Sequence, residues 1–122
     1  MKLEMDLIRG ILLWCNGNLP SDNPISASEI VIPGYKADQI TFHFKLLVDG
    51  GYINAIDMRT MTQPFDYMPI HLTLSGYEFY ESIKNDTIWN GMKEEAGKIG
   101  IQVIKLAIPI LAQLLTKQLG LN

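Results

Sequence analysis

His43, His71 and Cys15 are the side chains of this sequence best suited to ligate a metal or to act as base or nucleophile, and neither chemistry finds its partners. The two histidines have no Cys, His, Asp or Glu at a recognisable metal-ligand spacing. The chain has no nucleophile elbow, no glycine-rich phosphate loop and no paired-carboxylate pattern. The expectation is therefore no metal, no cofactor, no catalytic residue and no enzymatic activity. His43 is expected to be hydrogen-bonded within the fold or at an interface. Cys15, the sole cysteine, sits in an apolar periodic segment and reads as a small buried hydrophobe in a protein of a reducing compartment. Two acids in the first six residues, with no small-residue cleavage site after them, are unlike a secretory signal, so a cytoplasmic location is expected.

What remains is recognition, and charge limits it. The 122 residues carry a net charge of −3, whereas nonspecific affinity for nucleic acid comes from many Lys and Arg meeting phosphates. By segment the balance is −2 over residues 1–35, −1 over 36–73, −2 over 74–92 and +2 over 93–122. Any contact with DNA must be local. The apolar content, 48%, suits a folded domain, and a chain of this length can bury a core without a disulfide or metal.

The elements that would position such contacts follow from periodicity. Met5, Ile8, Leu12 and Cys15 recur at steps of three and four, widened by Leu7 and Ile11, which predicts a core-facing helix from Leu3 to Cys15. Asn16-Gly17 should stop it, with Pro20 beyond. The β-branched run Ile30-Val31-Ile32 before Pro33-Gly34 predicts a short strand within Ile25–Ile32. Ile40, Phe44, Leu47 and Val48 predict a helix from Ala37 to Asp49, ended by Gly50-Gly51. Tyr52–Met58 and Met68–Leu72 alternate as strands of a hairpin with a long tip. Thr73 or Ser75 can cap the next helix, whose body is Tyr77, Phe79, Tyr80 and Ile83. Asp86 can cap another through Trp89, Met92 and Ala96. From Ile101 to Leu119 an apolar helix with a narrow polar face is expected, kinked or broken near Pro109.

That order, together with Ile40-Thr41-Phe42-His43-Phe44-Lys45-Leu46-Leu47-Val48-Asp49-Gly50-Gly51-Tyr52-Ile53 and the Leu-Thr-x-x-Gly-x-x-Phe pattern from Leu72 to Phe79, resembles the winged-helix superfamily. Met1-Lys2-Leu3-Glu4-Met5-Asp6-Leu7-Ile8-Arg9, the Tyr35–Leu47 segment with His43, and Ile83-Lys84-Asn85-Asp86-Thr87-Ile88-Trp89 resemble the bacterial and prophage family known as domain of unknown function 2513. The resemblance covers most of the first 90 residues and implies a fold without a mechanism. One departure is Lys36, which stands where a small capping residue is expected and leaves Gln39 without its usual capping-box partner.

The implied architecture is mainly α with a small β-hairpin (α+β): a winged helix-turn-helix over 1–86 and a C-terminal helical extension over 87–122. In such a module the recognition helix faces the major groove, so double-stranded DNA is one expected partner, met by Lys36, Thr41, Phe42 and Lys45 of the helix and Arg59 and Thr60 of the hairpin. A homodimer seam is expected at Ile101, Ile104, Ile108, Leu111 and Leu115, and polar residues among them argue against a membrane span. The alternative is a host or phage protein partner, bound on the same scaffold through Phe42, Met61, Phe65 and Tyr67 without DNA.

Overall fold

Leu7, Ile8, Ile11, Leu12 and Cys15 fall on one side of a 3.6-residue spiral, and in the computed structural model, which describes residues 1–62 and 66–99, all five are buried in helix α1 (Met5–Asn18). The helix does not end at Asn16-Gly17 as expected. Gly17 stays helical, and the stop comes at Leu19, which is extended and donates its N–H to the Cys15 carbonyl at 2.9 Å. Pro20 accounts for this, because a residue before proline is pushed out of the helical region. The Leu19–Pro20 bond is cis.

The strand expected within Ile25–Ile32 is absent. Ala27–Glu29 forms one 3₁₀ turn, and Ile30 and Ile32 are buried from irregular backbone while Val31 stays 81% exposed. The apolar run is thus real, but its in-out alternation is produced without a ladder. Asp66 supplies the tie a strand would have made: its Oδ1 accepts the Ser28 N–H at 3.2 Å and its Oδ2 accepts the Ser28 hydroxyl at 3.0 Å.

Helix α2 (Ala37–Asp49) agrees with its expected bounds, burying Ile40, Phe44 and Leu47. Half of a capping box survives without a small N-cap: Gln39 Oε1 accepts the Lys36 N–H at 2.9 Å. The other end is a left-handed stop. Gly51 has φ +81°, its N–H reaches the Val48 carbonyl at 3.0 Å, and the Tyr52 N–H reaches Leu47 at 2.9 Å. Trp14 of α1 meets Phe44 of α2 edge to face, ring centres 6.4 Å apart.

The stop delivers the chain into β1 (Ile53–Asp57), paired antiparallel with β2 (Tyr67–Leu72). Tyr67, Pro69 and Leu72 all face inward, yet Tyr67 and Leu72 are an odd number of residues apart, which strict alternation forbids. A bulge resolves it: Ala55 pairs with Pro69 and Asn54 with His71, leaving Ile70 as the extra residue.

Helix α3 (Leu74–Ile83) starts from Thr73, which acts as its cap. The Thr73 hydroxyl accepts the Gly76 N–H at 3.1 Å and donates to the Gly51 carbonyl at 2.5 Å, so one side chain ties the start of α3 to the end of α2. A Cβ on Gly76 would overlap the Tyr52 carbonyl oxygen and lie 3.3 Å from Leu72 Cβ. The Leu-Thr-x-x-Gly motif therefore encodes a core residue, a cap and a close backbone crossing.

The chain divides into two units within α3, Met1–Tyr77 and Glu78–Asn122. In the second, Asn85 rather than Asp86 caps helix α4 (Asp86–Ile99), its Oδ1 accepting the Ile88 N–H at 3.0 Å. Asp86 is instead the first helical residue, where its charge favours the helix N-terminus. Ile88 and Trp89 are buried. The expected helix and dimer seam over 101–119 lie outside the described residues. Overall the fold is mixed α+β, with four α-helices and one hairpin among the described residues. No helix among them is long and apolar enough to cross a membrane.

Candidate functional site

The positions expected to touch DNA separate once they are placed. Lys36 is exposed at the entry to α2. Thr41 is buried, 8% exposed, with its hydroxyl donating to the Asp38 carbonyl at 3.1 Å. This corrects its expected outward position: threonine can be buried on a helix because its hydroxyl is satisfied by a carbonyl of its own preceding turn. Phe42 is half-buried, edge-on to the His43 ring with centres 5.5 Å apart.

The two remaining cations lie against acids. Lys45 Nζ is 2.6 Å from Asp49 Oδ2 one turn along the helix, and this bond holds the ammonium above its usual pKa range. Arg59 Nε is 2.7 Å from Asp57 Oδ2, while the Arg59 N–H donates to Asp57 Oδ1 at 2.9 Å. Thr60 lies at the exposed tip, its hydroxyl 3.3 Å from that of Thr62. Over 36–62, Lys36, Lys45 and Arg59 are matched by Asp38, Asp49 and Asp57. Such a surface gives phosphate little net attraction.

The hairpin presents apolar side chains instead. Met61 is fully exposed at 103%, Ile56 is 52% exposed and Met58 38%. On the outer face Ile56 stands across from Met68, and Asn54 Nδ2 is 3.3 Å from His71 Nε2. Tyr67, expected to join this contact set, is buried at 7% because it occupies an inward position of β2. Phe65 lies outside the described residues.

His43 is wholly buried and uses both ring nitrogens. Its Nε2 accepts the Glu4 N–H at 2.9 Å, and its Nδ1 lies 2.7 Å from the Gln39 carbonyl, to which Nδ1–H must donate. Burial lowers its pKa below 6.5, against smaller opposing effects of the Gln39 carbonyl and the Glu4 carboxylate. Burial raises the Tyr35 phenol, with Asp6 and Glu4 adding to the rise. Burial also drives the Cys15 thiol up to about 12. Among the described residues no cluster of three or more His, Cys, Asp or Glu is placed to hold a metal ion.

Two contacts had no sequence signal. Ser28 and Asp66 lie 38 residues apart, and Glu4 and His43 lie 39 apart, with no spacing that would announce either pair.

Comparison with known proteins adds lineage. Residues 2–102 match the family described as Hypothetical protein (DUF2513). A Haemophilus influenzae protein described as uncharacterized is 32% identical over 121 residues, covering 98% of each chain. No solved structure gives a significant match.

Proposed function

The chain belongs to the DUF2513 family of hypothetical proteins, and from that premise, which carries no activity, we propose that it is a small cytoplasmic interaction module on a winged-helix-type scaffold. It contacts a protein partner through the hairpin: Ile56, Met58 and Met61. The order of α1, 3₁₀ turn, α2, hairpin and α3 supports the scaffold, with the 3₁₀ turn Ala27–Glu29 standing for the second helix of a helix-turn-helix. The carrying observation is Met61, wholly exposed between an ion-paired Arg59 and the start of β2. Methionine at an exposed tip costs solubility and offers a flexible apolar anchor, which protein interfaces favour.

DNA binding is the second reading, favoured by the exposed Lys36 at the head of α2. It requires a dimer, formed through 101–119, to bring two such helices to two half-sites. One experiment separates the two. A photo-crosslinking amino acid is placed at position 61 in the full chain and irradiated in cells, while the purified protein is titrated against duplex DNA at several salt concentrations. The interaction module gives a discrete protein adduct from position 61 and no salt-sensitive DNA affinity. Absence of that adduct, together with DNA binding that weakens steeply with salt, would establish the second reading instead.

A further inference from the structure

We propose that His43 is a proton-sensitive latch that holds residues 1–4 against α2 while its ring is neutral and lets them go in acid. The geometry allows one protonation state. Nδ1–H donates to Gln39, so Nε2 must be the bare nitrogen that accepts the Glu4 N–H. A second ring proton on Nε2 would point at that N–H, placing donor against donor, and the bond would be lost.

The strap being held is small and separable. Residues 1–4 precede α1; Met1 and Lys2 are exposed and Leu3 is half-buried, so release uncovers at most part of one aliphatic side chain. The buried stripe of α1, from Leu7 to Cys15, does not depend on that bond. Opening is therefore local. Glu4 stays tied to α1 through its carbonyl, which accepts the Leu7 and Ile8 N–H at 3.2 and 3.1 Å, so what its N–H bond to His43 adds is a hold on the chain that enters the helix.

The surroundings set the direction. From the N-cap position before α1, the charge of the Glu4 carboxylate favours the protonated imidazole; from α2 itself, the Gln39 carbonyl does the same. Asp6 and Glu4 also act on the nearby Tyr35 phenol. Burial outweighs the groups acting on His43, and its proton uptake in the folded state lies below 6.5. A group with a depressed folded pKa of this kind supports the closed state fully above the unfolded value. That support is lost as pH falls from about 6.5 toward the folded value.

The test is NMR on the full chain from pH 7.5 to 4.5. It follows the ¹⁵N shifts of the His43 ring and the exchange protection of the Glu4 amide, corrected for intrinsic rates. The expected result is an Nδ1–H tautomer at neutral pH and a midpoint below 6.5. Glu4 protection should fall by up to about tenfold per pH unit in that window, while Leu12 and Phe44 amides keep theirs. His43→Gln, whose amide can accept from Glu4 but cannot titrate, should hold Glu4 protection constant over the same range. Should that variant fail to fold, the wild-type titration decides alone. PH-independent protection at Glu4, an Nε2–H tautomer, or loss of core protection in step with Glu4 would each overturn the latch.

Discussion

Replacing Gly76 by alanine places a methyl group where the Tyr52 carbonyl oxygen already lies, with the Tyr52 carbonyl carbon 3.0 Å and Leu72 Cβ 3.3 Å away. The obstacle is backbone, so no rotamer change relieves it, and β1 must move away from the first turn of α3. Overpacking of this kind costs about 1–3 kcal/mol. The displaced carbonyl also accepts the Thr73 N–H at 3.1 Å, and the shift strains the Thr73 cap on Gly76; losing such bonds adds roughly 1 kcal/mol. Against this, alanine in a helix gains about 1 kcal/mol over glycine. The net expectation is a loss of about 2 kcal/mol. With a urea slope of about 1–3 kcal/mol per molar, the midpoint should fall by roughly 1 M. Gly17→Ala is the control, because nothing lies within 4 Å of its added methyl and the residue is helical. It should leave stability unchanged or raise it by up to about 1 kcal/mol. If Gly76→Ala unfolds at the same urea concentration as wild type, the close crossing is not what holds glycine at that position.

Removing the Ser28 hydroxyl should cost about 1 kcal/mol and Asp66→Ala about 1–3, since the latter leaves the Ser28 N–H without its acceptor. A double-mutant cycle by urea unfolding should then show a coupling of about 1 kcal/mol between them; additive losses would mean the clamp contributes nothing. The Cys15 thiol, buried and pushed up to about 12, should stay unreactive toward an aromatic disulfide at pH 8 in native buffer and titrate fully in denaturant. Rapid labelling without denaturant would contradict its burial.

The helices were legible because their signals are local. The α1 stripe, the Ile40–Leu47 spacing and the paired glycines each lie within a few turns of chain, and all three appear where periodicity placed them. The miss at Ile25–Ile32 has a different origin: β-branched residues report that a segment is buried, and only a partner strand makes it a strand. Here the partner is a carboxylate, from a residue far along the chain. Helix ends moved for equally local reasons, Pro20 overriding Asn16-Gly17 and Asn85 capping ahead of Asp86. Within the candidate site, sequence identified the exposed Met61 and the cations but not their ion pairs. Thr41 and Tyr67 illustrate why: residue type suggests what a side chain could contact, whereas its phase on the helix or strand decides whether it faces outward.

The unpaired Ile70 sets how this ribbon can vary in length. Parity is reset between Pro69 and His71, on the return strand and away from the tip. Residues can therefore be added or dropped in the loop between Met58 and Asp66 while Leu72 and Thr73 keep their orientation toward α3. Losing Ile70 itself would restore plain alternation, with His71 following directly on Pro69, so a relative without that extra residue keeps the same phase from Tyr67 to Pro69 on a regular, less twisted strand.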